Sequence, residues 1–483
     1  MRWALETLWV LVVVLVPALG VWLASSLALY RNGPVWLALG CGLLLFPVLP
    51  VAWEVRARRR RAQAGRLPSR TFTTWDRVVL RTLAVNVAFM AALLAGFPGA
   101  AFAALSTRGD WFLQGRQDAG AQKARRTLFA IAGGLEWLHG AARPNPYDDA
   151  LERRGQEPPP SPQPAPVAMA SATPAPPVAG EEPPAEEEVA RFSPEGVPQW
   201  PLPPRLHPAV AELPASAETG IAEVARYLAA RESDPWLRVK ALHDYVADRV
   251  AYDVASYRSG RFPPQDAQTV FRTRLSVCAG YANLLAALGE AAGETIVVVG
   301  GDARGDEAGL TGEGHAWNAA RIGGRWALLD ATWDAGSVDG DRFAKEYGTE
   351  YLFPPPEVQG VTHFPEEPEW QLRTPPLSRG EFFRQPMMKA GFFAEGLALL
   401  APDRSQVTVQ GPLEVSVANP RRRWLLARYQ GPEGQGQCAV SPGDPVSVRC
   451  APPAPGSYRV RLFVGRQRYG QYEGVGQIEA HIQ

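Results

Sequence analysis

Cysteine and histidine are scarce in this chain, and neither sign of charge is in excess. The 483 residues include four cysteines and six histidines, and 49 basic side chains balance 49 acidic ones. No CxxC or HxxxH spacing offers the paired ligands of a zinc site. A net charge of zero provides no strong field that would attract nucleic acid. We therefore expect no metal, no cofactor and no nucleic-acid partner.

Charged side chains are missing altogether from residues 7–30, 33–53 and 82–107. Each run is long enough to cross a bilayer, which takes about 20 residues in a helix. The first run is too long for an ordinary signal peptide and lacks its flanks and cleavage site. Buried or re-entrant helices are the alternative. We expect a membrane domain with three transmembrane helices over residues 1–110.

Arginine is concentrated between the second and third apolar runs. Residues 54–77 hold eight arginines against one glutamate and one aspartate. The positive-inside rule predicts that this loop and the N-terminus are cytoplasmic, and that the chain after about residue 108 is extracytoplasmic. Nucleic-acid binding is the alternative for this loop, but its position between two apolar runs favours a topology signal.

Proline dominates the next region, with 18 prolines in residues 157–214. Such a composition cannot bury a core and predicts an extended or disordered linker. Together with a short connecting helix in 111–140, it defines a connecting region over 111–215. We expect the linker to give the following domain reach above the membrane.

Short alternating runs of apolar and polar residues begin near residue 400 and are separated by turn residues. They predict a small C-terminal β-sandwich over 395–483. Cys438 and Cys450 lie on adjacent predicted strands in this domain. They either form a disulfide or remain reduced thiols in the core.

The candidate chemistry lies in residues 216–392. Cys278 begins an amphipathic helix in SVCAGYANLLAALGEAAG (276–293), for which Ser276 is the expected N-cap. The unpaired N–H groups and the dipole at a helix N-terminus favour a thiolate. By itself, a cysteine in an apolar helix is more often a small core residue.

A histidine and an aspartate follow on two short strands. Gly323-Gly324 forms a two-residue hairpin turn that pairs Ile322 with Arg325. Extending this register places His315 and Asp330 on one face of the hairpin, within side-chain reach. Cys278, His315 and Asp330 would then form a nucleophile, base and orienting acid for acyl transfer through a thioester.

These segments carry a family resemblance. VCAGYANLL, GHAWNAARIGGRWALLDATWD and ALHDYVADRVAYD resemble the transglutaminase-like superfamily of papain-type thiol enzymes. The later YLFPPPEVQGVTHFPEEPEWQL resembles the branch that includes kyphoscoliosis peptidase. The resemblance implies an α+β papain/transglutaminase-like core with Cys278 as nucleophile, His315 as base and Asp330 as orienting acid. His363, in the last segment, has no evident role.

The expected function is that of a membrane-anchored, extracytoplasmic thiol hydrolase or acyltransferase. It would act on peptide or protein amides in the cell envelope, with hydrolysis favoured over cross-linking. A non-catalytic scaffold or binding module of the same fold is the alternative. Trp317, Tyr281 and Gln268 are weak candidates for the substrate pocket. For the oxyanion hole, the Cys278 backbone N–H is a better candidate than Gln265 or Gln268.

Overall fold

Three parts follow one another along the chain: long apolar helices, an α+β domain and a sheet-rich C-terminal domain. The computed structural model describes residues 2–64, 72–114, 116, 118–140, 145–152, 192–193, 196–305 and 312–483.

Helices account for the regular structure described in the first part, because they satisfy the backbone polar groups of apolar runs internally. They are α1 (Arg2–Tyr30), α2 (Val35–Leu43), α3 (Leu49–Gln63), α4 (Thr74–Gly96), α5 (Pro98–Arg108) and α6 (Ala119–Gly140). A π-helical turn, Leu44–Val48, joins α2 to α3 and contains Pro47, which has no backbone N–H to donate.

Three helical segments are long and apolar enough to cross a membrane. They are Glu6–Tyr30, Val35–Gln63 and Thr74–Gly96. The third differs from the predicted run 82–107, because Phe97 leaves the helical conformation at φ −142°, ψ 52°. Proline disfavours a helical conformation in the residue before it, and Pro98 then starts the separate, buried helix α5.

The α+β domain is built around α12, which packs against α8, α9 and α11 and against strands β3 and β4. Its helices are α7 (Pro208–Ala211), α8 (Ile221–Arg231), α9 (Pro235–Arg249), α10 (Val254–Ser259), α11 (Ala267–Thr273), α12 (Cys278–Ala292), α13 (Pro356–Thr362), α14 (Arg379–Arg384) and α15 (Ala390–Ala394). The break between α8 and α9 falls at Asp234-Pro235, where Asp234 caps α9 by accepting the N–H groups of Trp236 and Leu237.

An antiparallel sheet in the order β5-β4-β3-β8 completes this domain. The strands of the domain are β1 (Ala251–Tyr252), β2 (Leu275–Ser276), β3 (Thr295–Ala303), β4 (Glu313–Ile322), β5 (Arg325–Leu329), β6 (Gly336–Asp339), β7 (Arg342–Lys345) and β8 (His363–Pro365). The small pairs β1–β2 and β6–β7 lie apart from this sheet.

The C-terminal domain consists of two sheets that share one buried apolar core. Its strands are β9 (Met387–Met388), β10 (Ala398–Ala401), β11 (Gln406–Val409), β12 (Leu413–Ala418), β13 (Trp424–Gly431), β14 (Gly434–Gln437), β15 (Ala439–Ser441), β16 (Val446–Cys450), β17 (Gly456–Gly465) and β18 (Glu473–Ile482). Because β9 pairs with β18, the domain recruits a strand from before the predicted boundary at 395. Cys438 and Cys450 form a disulfide within its core.

Part of the proline-rich region before residue 216, the predicted start of the enzyme domain, packs into the α+β core. Leu202, Ala209 and Val210 are buried in that core, and the Thr349 hydroxyl donates to the Leu202 carbonyl oxygen at 2.6 Å. Scattered apolar residues can dock even where prolines prevent regular structure. Residues 153–191, the centre of the predicted linker, lie outside the described residues.

The α+β and C-terminal domains also contact the end of the helical part directly. The carboxylate of buried Asp110 binds Arg125 at 2.7 Å, Arg384 at 3.1 Å and Arg404 at 3.2 Å. Arg379 donates to Glu136 of α6 at 2.7 Å. The connecting helix is therefore docked, and the described contacts do not support a domain held only by a long linker.

Candidate active site

Cys278 occupies the first position of α12, with Val277 as the N-cap. The expected cap, Ser276, instead ends strand β2 and donates its hydroxyl to the Val277 carbonyl oxygen. Steric crowding explains why a glycine, Gly280, stands in the first turn of this helix. A Cβ there would lie 2.6 Å from Val270 and 2.7 Å from Ser276. Close packing thus holds the start of the helix that carries the thiol.

His315 and Asp330 meet as the hairpin register predicts, although the aspartate is not on a strand. Pairing follows the predicted register from Ile322–Arg325 to Asn318–Leu329, and the strand then ends. Asp330 is the next residue. Its Oδ2 lies 2.7 Å from Nε2 of His315. Because Nε2 faces Asp330, Nδ1 is the imidazole nitrogen that can exchange a proton with the Cys278 thiol.

Strong electrostatic coupling joins the three groups. Burial alone would lower the pKa of His315, but the charge of Asp330 and then the Cys278 side chain raise it to about 10. Burial would raise the pKa of Asp330, yet His315 and His363 hold it well below its usual range. The site therefore favours an imidazolium paired with a carboxylate.

The carboxylate of Asp330 is surrounded by hydrogen-bond partners on both oxygens. Oδ1 accepts the backbone N–H groups of Thr332 at 2.8 Å and Trp333 at 3.3 Å. Oδ2 contacts His315 and, at 3.1 Å, Nε2 of His363. The aspartate is consequently fixed in position and orientation.

His363 is the site residue that sequence reasoning missed. It begins strand β8, beside β3, and its Nδ1 lies 2.9 Å from the Thr362 hydroxyl. Burial lowers the pKa of His363 to about 4, so the imidazole is neutral at physiological pH and can donate from Nε2 to Asp330. The only signal for His363 in the sequence is its place in the shared segment HFPEEPEW. Its contact with Asp330 could not be predicted, because that contact depends on the pairing of β8 with β3.

A cleft of about 1220 Å³ leads to the site from between the α+β and C-terminal domains. His315, Trp333 and Tyr147 are among its lining residues, whereas Cys278 is not. Tyr147 belongs to a segment before the proline-rich region. Burial, followed by charge and hydrogen-bonding interactions with Cys278, raises the pKa of Tyr147. Tyr147 and Cys278 also belong to the same buried apolar cluster.

None of the predicted pocket residues lines this cleft. Trp317 is buried and stacks on His315 with ring centroids 5.9 Å apart, and the Tyr281 hydroxyl donates to the Val250 carbonyl oxygen at 2.7 Å. Gln268 is exposed on α11. Gln265 accepts the Val277 N–H through Oε1 and donates through Nε2 to a carbonyl oxygen, so its amide is already engaged.

His315, Asp330 and His363 also resemble a metal-binding group, since their ligand atoms lie within 4.8 Å of one another. Both imidazole Nε2 atoms, however, contact the same oxygen of Asp330. That arrangement fits a hydrogen-bonded relay, in which the aspartate accepts from both rings.

Comparison with known proteins agrees with the fold. Residues 222–331 match the model of the Transglutaminase-like superfamily. This stretch is a transglutaminase-like domain. It contains Cys278, His315 and Asp330, whereas His363 lies beyond it.

The kyphoscoliosis peptidases of Homo sapiens and Mus musculus are similar to a longer part of the chain. They are 27% and 28% identical to it over 259 residues, or 51% of this chain. The match covers 39% of each relative, so the chain spans about two fifths of their length. A crystal structure of a TGase is 20% identical over 27% of this chain and 35% of that chain, with a TM-score of 0.21.

Proposed function

We propose that this protein is a membrane-anchored thiol enzyme that acts on peptide or protein amides through an acyl-thioester at Cys278. The observation that carries the proposal is a helix-N-terminal thiol beside an imidazole whose far nitrogen is bound to a buried carboxylate. A small core cysteine and a structural histidine would not require this ordered set of charges.

The chemistry follows from these positions. Nδ1 of the His315 imidazolium already holds the proton that the thiol gave up, and the sulfur of Cys278 attacks the amide carbonyl carbon. The tetrahedral intermediate collapses as the imidazolium gives its proton to the leaving nitrogen, which breaks the C–N bond and leaves a thioester. Water then gives a proton to His315 and attacks the thioester, releasing the acid and the thiol.

Supporting groups have distinct parts in this scheme. Asp330 stabilises the imidazolium and fixes its orientation, and His363 positions Asp330 without touching the substrate. The backbone N–H of Cys278, at the first position of α12, is the available donor for the developing oxyanion.

We favour water over an amine as the acyl acceptor. The relatives that match half of this chain are named peptidases, and hydrolysis needs no second substrate site. A lysine amine that attacked the same thioester would instead produce a cross-link. The substrate would be a peptide or protein of the cell envelope.

The compartment is proposed from topology. Three apolar helices and the arginine-rich residues 54–77 favour a cytoplasmic N-terminus and an extracytoplasmic enzyme domain. The disulfide between Cys438 and Cys450 supports this placement, since structural disulfides persist in oxidising compartments.

The test compares wild-type protein with Cys278→Ala and His315→Ala in detergent, using peptide libraries and a thiol-reactive substrate analogue. Both variants should lose acyl-enzyme formation, because each removes a group that takes part in bond making. Cys41→Ala is the matched control: that cysteine lies in α2, away from the site, and its loss should change nothing. Full activity of Cys278→Ala would refute the proposal, and a wild type that is inactive on every substrate would favour the scaffold alternative.

A further inference from the structure

The segment from residue 145 to residue 152 lies across the thiol of this site. The Asn145 side chain donates toward the carbonyl oxygens of Gly301, at 3.3 Å, and His315, at 3.5 Å. Tyr147 packs on Phe262, with ring centroids 5.1 Å apart, and belongs to the same apolar cluster as Cys278. This segment therefore bridges the strand that carries the base and the helix that carries the thiol.

One side chain of α12 holds the backbone of this segment. Oδ1 of Asn283 accepts the N–H of Glu152 at 2.8 Å, and its Nδ2 donates to the carbonyl oxygen of Ala150 at 2.8 Å. Asn283 is buried, and it lies on the same helix as Cys278. Both bonds go to main-chain atoms on either side of Leu151, which is extended and follows the 3₁₀ turn Asp148–Ala150, so a peptide of that shape could form them regardless of its side chains.

The thiol has little exposure while the segment is in place. Cys278 is 1% exposed and Tyr147 is 4% exposed. The large cleft reaches Tyr147 and His315 but not the sulfur. An amide substrate must therefore displace Tyr147 before its carbonyl carbon can meet the thiol.

We propose that the surface under residues 145–152 is a peptide-binding subsite and that this segment is its intramolecular occupant. The ligand would be a peptide with a similar turn, whose backbone bonds to Asn283 and whose aromatic side chain takes the place of Tyr147 against Phe262. The proposal rests on the proposed function, because it specifies how a peptide substrate reaches Cys278.

The first experiment measures the alkylation rate of Cys278 by iodoacetamide in the full chain with a Cys41→Ala background. Tyr147→Ala should raise the rate at least tenfold. Tyr147→Phe, which keeps the ring, should raise it less. Asp149→Ala, an exposed change on the same segment, should leave the rate unchanged. Should Tyr147→Ala misfold, Asn145→Ala replaces it, with a severalfold increase expected. Alkylation at the parental rate in the folded variant overturns the proposal.

The second experiment adds a synthetic peptide with the sequence of residues 145–152, NPYDDALE, to the Tyr147→Ala protein. The peptide should slow alkylation back toward the parental rate, and a version with alanine in place of tyrosine should protect less. If neither peptide protects at millimolar concentration, the segment is a cover and not the occupant of a subsite. Both readouts measure access to the thiol, so a failure of amide hydrolysis would not change them.

Discussion

Replacing Asp330 with asparagine tests the electrostatics of the site most directly. The substitution conserves shape but removes the charge beside Nε2 of His315. One carboxylate oxygen faces two imidazoles and the other faces two backbone N–H groups. An asparagine can present its oxygen to only one of these pairs, so its amino group must face donors on the other side.

The size of the effect follows from the pKa of His315, which rises from an ordinary value near 6.5 to about 10. At about 1.4 kcal/mol per tenfold change, this rise corresponds to roughly 5 kcal/mol in favour of the imidazolium. Asp330 is the largest favourable contributor, ahead of Cys278. A hydrogen bond to a charged group contributes about 1.5–3 kcal/mol, so Asp330→Asn should lower kcat by roughly ten- to a hundredfold.

The assay is the pH dependence of amide hydrolysis. Because the raised pKa preserves the imidazolium up to about pH 10, loss of Asp330 should move the upper limb of kcat to lower pH. Asp334→Asn is the matched control: it changes a buried carboxylate nearby that pairs with His243 and not with His315. Asp334→Asn should lower the stability of the protein but leave the upper limb of the pH dependence of kcat unchanged. An Asp330→Asn enzyme with the parental limb and a kcat within twofold of the control would contradict the reasoning.

Three further predictions concern the rest of the molecule. His363→Leu should lower kcat about tenfold with little change in KM, and His363→Gln should restore most of it because its amide can donate to Asp330; kinetics without this rescue would argue against a positioning role. Serine at both Cys438 and Cys450 should destabilise the C-terminal domain by about 3 kcal/mol in denaturant titrations, since their separation of 12 residues closes a loop. Protease added outside intact spheroplasts should spare residues 54–77 and digest the chain after 108; the reverse pattern would invert the topology.

Local patterns in the sequence were sufficient to predict much of the fold. The two-residue turn Gly323-Gly324 determined the hairpin register, and that register places His315 beside Asp330. The Asp234-Pro235 pair marked the start of α9. Uncharged runs marked the apolar helices, although Pro98 ended the third one early. These features depend on interactions between near neighbours in the chain, which spacing and residue type reveal.

Tertiary structure decided what surrounds the thiol. His363 reaches Asp330 only because β8 pairs with β3, and Tyr147 reaches Cys278 across more than a hundred residues of chain. Composition predicted a free linker, yet Leu202 is buried in the core. Such contacts form when distant segments find complementary surfaces, and a periodic pattern in one segment carries no information about its distant partner.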